Sequence, residues 1–224
     1  MPKISESKGR PDENSGYARL FGNQQLGQLL SRVQATVIRT GNELEKLIES
    51  ETSNELKAVL EDILTGQQSF SKTQVVFQAK MPPQVDARGG TADIVVFEHT
   101  EKTAKIIELK DGDTFDTKKA SGELASMEIF AKWISARTDY KTSFYFCSFN
   151  QTNKEAIVHG AKGRFDINHA MTGQELCNLL NINYDALRIK RQKEQPENLR
   201  YFISELLRIT EVKQIINELL ERRK

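Results

Sequence analysis

Two acidic residues and one lysine lie near the ends of two short apolar segments of the chain. Asp93 stands near the start of the segment 92–97, and Glu108 and Lys110 stand at the end of the segment 104–110. The β-branched residues of both segments predict strands. Because residues two apart in a strand share a face, Glu108 and Lys110 are expected to point the same way.

The six polar residues between these segments predict a turn that joins them as a hairpin. If this turn pairs Phe97 with Ala104, Asp93 faces Glu108, with the two Cβ atoms about 5 Å apart. Two carboxylates at that distance repel each other unless a cation lies between them, and Mg²⁺ takes one or two protein carboxylates and several waters. Lys110 would lie beside the ion without binding it, within reach of an attacking water or a phosphate.

The alternative is that Asp93, Glu108 and Lys110 are ordinary charged residues on the solvent side of a hairpin. Both strands are strongly apolar, however, and Glu108 lies deep in one of them. Carboxylates are rare in such surroundings without a partner, which favours a functional site.

Hydrophobic periodicity predicts the elements that would position this hairpin. Helices are expected at 23–49, 53–64, 122–136, 172–180, 196–209 and 211–224, and strands at 73–78, 92–97, 104–110, 142–149 and 155–159. Gly41 indicates either a break in the first helix or a close approach of a neighbouring element. The order predicts an α/β fold with a central mixed β-sheet flanked by helices, N-terminal helices and a helical C-terminal region.

The composition, with 38% hydrophobic and 28% charged residues, is that of a soluble globular protein. A net charge of +1 argues against indiscriminate coating of nucleic acid. No apolar run approaches the ~20 residues of a membrane span, and the first residues do not form a signal peptide. Cys147 and Cys177 lack metal-site spacing, so we expect reduced thiols and a cytoplasmic protein.

Four stretches of the sequence resemble the PD-(D/E)xK nuclease superfamily, and type II restriction endonucleases within it. Asp93 is followed after fourteen residues by Glu108-Leu109-Lys110, with Ala92 in place of the usual proline. The strings GGTADIVVF and KIIELKDGDTFDTKKASGE extend this motif, and MTGQELCNLL is similar to a segment that follows the core in some restriction enzymes. The resemblance implies a restriction-endonuclease-like fold, double-stranded DNA as substrate, Mg²⁺ as cofactor, and products with 5′-phosphate and 3′-hydroxyl ends.

The fourth stretch, GNELEKLI at 41–48, resembles the G-x-x-x-E element whose glutamate reaches the metal site in many such nucleases. Two glutamates compete for this role. Glu43 has polar helical neighbours, whereas Glu45 has Ile48 and Gly41 beside it at the edge of the apolar stripe. Glu45 is therefore the fourth predicted catalytic residue, with a surface glutamate as the alternative.

The polar N-terminus and the resemblance together predict the domain organisation. We expect a flexible polar arm at 1–16 and a single nuclease domain at 17–224, with its catalytic core at about 41–160 and a C-terminal helical region at about 165–224. A restriction enzyme further implies a cognate DNA methyltransferase in the same system.

DNA contacts require Lys or Arg for guanine and phosphate, and Asn or Gln for adenine. Polar residues in predicted loops and basic segments are the candidates, although each is also explained as an ordinary surface residue. They are Lys118, Lys119, Asn150, Gln151, Asn153, Lys162, Arg164, Arg188, Lys190 and Arg191. Lys118 and Lys119 follow the catalytic strand, which favours phosphate contact for them.

Cleavage of both strands at a palindromic site is simplest for a twofold homodimer. The apolar faces of the two C-terminal helices could form the dimer contact or close the core, and we favour core packing. Two other functions remain open: a structure-specific or repair nuclease such as a Holliday-junction resolvase, and a non-catalytic DNA-binding module of the same fold.

Overall fold

The structure is a computed structural model that describes residues 1–10, 15–66, 71–82, 90–112 and 117–222, with the backbone alone described at 117–120. It divides into two compact units, the first formed by Met1–Leu44 with Asp185–Lys224 and the second by Glu45–Tyr184. The second unit contains the sheet and the predicted catalytic residues.

Five strands of the described residues form one sheet in the order β1-β2-β3-β4-β5. They are β1 (Thr73–Lys80), β2 (Thr91–Glu98), β3 (Thr103–Lys110), β4 (Lys141–Ser148) and β5 (Ala170–Thr172). The pairs β1–β2 and β2–β3 are antiparallel, whereas β3–β4 and β4–β5 are parallel. The predicted α/β architecture with a mixed sheet and flanking helices is confirmed.

The helices lie before, between and after the strands. In the described part of the chain they are α1 (Gly16–Phe21), α2 (Gln24–Glu51), α3 (Leu60–Leu64), α4 (Thr117–Ser135), α5 (Lys154–Gly160), α6 (Gly173–Leu179), α7 (Tyr184–Gln192), α8 (Gln195–Arg208) and α9 (Thr210–Glu221). The sequence did not predict α1, α7 or the short strand β5. Helix α4 connects the parallel strands β3 and β4, as such a pair requires.

The core of the second unit lies between the sheet and α4. Val95 and Ile106 are fully buried on the sheet, and Met127, Phe130 and Ile134 are buried along α4 at helical spacing. The same sheet face carries Asp93 and Glu108 further along β2 and β3, by the two-residue alternation of strands. The apolar packing of α4 therefore fixes the helix against the face that bears the acids.

The segment 53–59 is not the helix that its apolar spacing predicts. Ala58 N donates to Val75 O at 2.9 Å, and Val75 N donates to Leu56 O at 2.7 Å. Residues 54–56 form a turn, and Lys57 then makes a parallel bridge with Val75 that covers part of the edge of β1. Only the last part, α3, is helical.

Two further local predictions are wrong. The segment 155–159, predicted as a strand, is the helix α5, because the Asn153 side chain accepts from Ala156 N at 3.2 Å and caps it. Helix α2 runs through Gly41 without a break, and among the described residues no atom beyond its chain neighbours and the helix's own backbone lies within 4 Å of a Cβ placed there. Gly41 therefore marks neither a helix end nor a close approach.

Gly173 is required where β5 meets α6. A Cβ at this position would lie 2.1 Å from Phe149 O, an oxygen that already accepts a hydrogen bond of 2.9 Å from the Tyr184 hydroxyl. The backbone therefore passes too close for any side chain. A capping box between Thr172 and Glu175 starts the helix at this glycine.

In the first unit, the first residues of the chain contact α8. Ile4 is 8% exposed, its amide donates to Asn198 Oδ1 at 2.8 Å, and Asn198 Nδ2 donates to Pro2 O at 3.0 Å. The arm is thus bound to α8, and residues 11–14 of the predicted arm lie outside those described. No helix of the described residues is long and apolar enough to cross a membrane.

Candidate active site

The β2–β3 hairpin has the register that the sequence predicts. Val95 pairs with Ile106 and Phe97 with Ala104, so the same register places Asp93 across from Glu108. The ladder pairs end one residue before these acids. In place of a ladder bond, Asp93 Oδ2 accepts from Leu109 N at 2.7 Å. The Asp93 side chain is therefore fixed on the backbone of the strand that carries Glu108.

Both acids are partly withdrawn from water. Burial raises the pKa of Asp93 to about 6, and the charges of Glu45 and Glu123 add to this rise. Burial also raises the pKa of Glu108 to about 7, with the Asp93 charge as the next cause. Only 13% of the Glu108 side chain is exposed. Two carboxylates held close together and away from water repel each other, and this favours the binding of a cation between them.

Lys110 lies on the same strand face and contacts two carboxylates. Its Nζ forms an ion pair with Glu108 and a second one with Glu123 Oε1 at 2.9 Å. Burial opposes the charged ammonium, but the two carboxylates outweigh it and raise the pKa of Lys110 above its ordinary value. Lys110 is therefore a fixed positive charge beside the acid pair.

Glu45, near the C-terminal end of α2, approaches the same group. Its Oε2 accepts from Gln78 Nε2 at 2.8 Å, and burial followed by the Glu108 charge raises the pKa of Glu45. Glu43 lies elsewhere, with its Oε2 3.6 Å from the Met1 amino group. The structure thus brings Glu45 towards Asp93, Glu108 and Lys110.

Gln78 and Glu123 belong to this site and were not predicted. Gln78 lies across from Asp93 in the β1–β2 register and has a φ of +48°, which is unusual for a residue with a side chain and often marks functional sites. Glu123 precedes Met127 by four residues and so continues the buried stripe of α4. An acid at the head of an apolar stripe is the sequence signal that could have indicated Glu123.

The donor set suits a hard divalent cation. Asp93 and Glu108 present carboxylate oxygens, which Mg²⁺ prefers, from two facing strands. The described residues contain no group of three or more His, Cys, Asp or Glu side chains arranged to hold a metal ion. Mg²⁺ accepts two protein carboxylates when water or substrate oxygens fill its remaining coordination positions.

Three candidate DNA contacts follow β4, and two of them have roles within the protein. Asn150 Nδ2 donates to Asp111 O at 2.6 Å and to Asp111 Oδ1 at 2.8 Å, which ties it to the residue after β3. Asn153 caps α5. Gln151 N donates to Ser148 O at 3.2 Å, and its side chain is partly exposed.

The basic candidates are placed differently from one another. Lys162 and Arg164 are exposed after α5. On α7, Lys190 is exposed, and the Arg188 guanidinium nitrogen Nη1 lies 3.5 Å from Asp185 Oδ1. Arg191 is 3% exposed and therefore has almost no surface to offer to DNA, a correction to the prediction. Lys118 and Lys119 fall in the first turn of α4, where the side chains lie outside those described.

Comparison with known proteins finds a relative along nearly the whole chain. The chain is 40% identical over 225 residues to the type II restriction enzyme HhaII of Haemophilus parahaemolyticus, a match that covers 97% of this chain and 99% of the relative. No family model matches the chain, and no solved structure matches it. At this identity and coverage, the chain belongs to the type II restriction enzymes. This confirms the family predicted from the sequence, with the PD-(D/E)xK superfamily as the broader group.

Proposed function

We propose that this protein is a Mg²⁺-dependent, sequence-specific endonuclease that hydrolyses both strands of double-stranded DNA. The observation that supports it is the group on one face of the β2–β3 hairpin: two desolvated carboxylates, Asp93 and Glu108, with the Lys110 ammonium beside them. Phosphodiester hydrolysis needs an activated water and positive charge at the scissile phosphate. This group supplies both.

Asp93 and Glu108 would hold the ion. When bound, Mg²⁺ lowers the pKa of a water and polarises a phosphoryl oxygen. The hydrogen bond from Leu109 N holds Asp93 Oδ2 in place, so the carboxylate does not need to reorganise on binding. Gln78 restrains Glu45 in the same way, and Glu45 would add negative charge at the edge of the site.

Lys110 would act on the substrate instead of the ion. Its ammonium has three donors and lies on the same strand face as Glu108. It would orient the attacking water and stabilise the negative charge that builds on the phosphoryl oxygens. Hydrolysis by water needs no covalent intermediate, and the products would carry 5′-phosphate and 3′-hydroxyl ends.

Digestion of phage DNA tests the function directly. We expect discrete fragments with Mg²⁺ and none with EDTA, because the acid pair is the only part of the proposed mechanism that depends on a divalent ion. End sequencing of the fragments should give one recognition sequence. A smear would contradict sequence specificity, equal cutting in EDTA would contradict the cofactor, and intact DNA would favour the non-catalytic module. Faster cutting of a four-way junction than of linear duplex would favour a resolvase.

We also propose that the enzyme acts as a homodimer and that a cognate methyltransferase protects host DNA. One chain carries one Asp93–Glu108–Lys110 group among its described residues, and two strands require two such groups. The two C-terminal helices were expected to pack in the core, but none of their residues is buried. Ile203 is 43% exposed, Ile215 is 49% exposed and Leu219 is 54% exposed. Apolar faces left open in this way suit a second copy.

Light scattering is expected to give a mass of twice 25.5 kDa in solution. Ile203→Glu should shift the protein towards the monomer, because burying a carboxylate in an apolar contact is costly. Lys213→Glu, on the exposed polar side of α9, serves as the control and should remain dimeric. A strict monomer for the wild-type protein, with and without DNA, would contradict the homodimer.

A further inference from the structure

Glu123 contacts the catalytic lysine from a different element than the hairpin. Its Oε1 lies 2.9 Å from Lys110 Nζ, and 25% of its side chain is exposed. Glu123 continues the face of α4 on which Met127 and Ile134 are 2% and 0% exposed. The buried side of α4 therefore fixes where this carboxylate can be.

Lys110 requires Glu123 as a second partner if Glu108 binds a cation. In the structure the ammonium is shared between Glu108 and Glu123. If Glu108 bound a divalent cation, its attraction for Lys110 would weaken, and the cation itself would repel the ammonium. Lysine has a flexible four-carbon stem that does not place its own charge. Without a further anion, the ammonium would move away from the reacting atoms.

The second carboxylate oxygen of Glu123 is available to accept a hydrogen bond from Lys110. Its Oε2 is inaccessible to solvent and has no hydrogen-bond partner among the described residues. An ammonium offers three donors, so it can engage both oxygens of one carboxylate after it leaves Glu108. A buried acceptor without a partner is costly, and a lysine that completes its bonding removes that cost.

We propose that Glu123 is the positioning residue of Lys110: it holds the ammonium beside the Asp93–Glu108 pair when Glu108 is engaged by the ion. Glu123 acts through Lys110 and touches neither DNA nor the ion. This inference rests on the proposed nuclease function. It assigns the catalytic lysine a partner on α4, thirteen residues further along the chain.

Kinetics of Glu123→Ala in the full-length enzyme test the proposal. A misplaced catalytic group costs up to about 10²-fold in rate, so we expect kcat to fall by about 10- to 100-fold with KM for DNA nearly unchanged. Glu123→Gln keeps an acceptor but no charge and should lie between the alanine variant and the wild type. In a Lys110→Ala background the same Glu123→Ala change should have almost no further effect, because the group it positions is gone. Glu128→Ala, an exposed glutamate on the same helix, is the matched control.

A second readout does not depend on cleavage. Acetic anhydride labelling of the metal-free protein, measured by mass spectrometry, should modify Lys110 several times faster in Glu123→Ala than in the wild type, with the exposed Lys132 as the internal reference. Unchanged labelling, unchanged kcat, or a full loss of rate that persists in the Lys110→Ala background would overturn the positioning role. Wild-type protein that cuts no DNA would instead refute the proposed function, and this inference with it.

Discussion

Replacing Asp93 by asparagine is expected to lower DNA cleavage by at least about 10³-fold while DNA binding persists, since the change removes a charge that the reaction needs. Asparagine keeps an oxygen that can accept the hydrogen bond from Leu109 N, so the hairpin should retain its geometry. Single-turnover cleavage of plasmid DNA measures the rate, and a gel shift without divalent ions measures binding. Asp62→Asn, at an exposed position of α3, is the control and should cut normally. Full activity of Asp93→Asn would end the catalytic assignment.

The same substitution should change the stability of the metal-free protein with pH. Burial raises the pKa of folded Asp93 to about 6 from the 3.8 of a free carboxyl, so the folded state holds a proton that the unfolded state releases. The wild type should therefore lose stability as pH rises from about 4 to about 6, by an amount of the order of 1–3 kcal/mol. Asp93→Asn should lose less over this range. Mg²⁺ should raise Tm of the wild type and have little effect on the variant.

Replacing Lys110 by alanine is expected to lower kcat by about 10²- to 10³-fold, the loss typical of removing one group that stabilises transition-state charge. Mg²⁺ affinity should be retained or increased, because the change leaves Glu108 and Glu123 without their shared cation. Isothermal titration calorimetry with Mg²⁺ separates this role from metal binding. Lys105→Ala on the same strand, whose side chain alternates to the opposite face, is the control. A Lys110→Ala variant that no longer binds Mg²⁺ would show that the lysine supports the metal site itself.

The β2–β3 hairpin could be predicted from the sequence because its signals are local. The alternation of side chains along a strand and the length of one turn fix the register, and the pair Val95–Ile106 follows from them. The family could be predicted for a related reason, because the spacing of Asp93, Glu108 and Lys110 follows from the same hairpin. The match to a type II restriction enzyme confirms that family. Helix α4 and the two C-terminal helices were also predicted from the apolar spacing of their residues, and strand β4 from its run of β-prone residues.

Predictions from local sequence patterns were wrong where a specific contact outweighed the intrinsic preference of the segment. The segment 53–59 has helical spacing but pairs with Val75 at the edge of β1. The segment 155–159 has β-branched residues but follows a capping asparagine, Asn153. In both places a few hydrogen bonds to the backbone selected the conformation, and intrinsic propensity is too weak to resist them.

The sequence by itself determined that Asp93, Glu108 and Lys110 lie together, because strand geometry brings residues two apart, or opposed across a short turn, to one face. Only the tertiary structure decided which distant residues complete the site. Gln78 and Glu123 lie on other elements, and their approach to Glu45 and Lys110 depends on how β1 and α4 pack on the hairpin. The burial of Arg191 was likewise decided by packing, as was the exposure of the apolar faces of α8 and α9. Apolar periodicity shows that a helix has an apolar face, but only packing determines what covers that face.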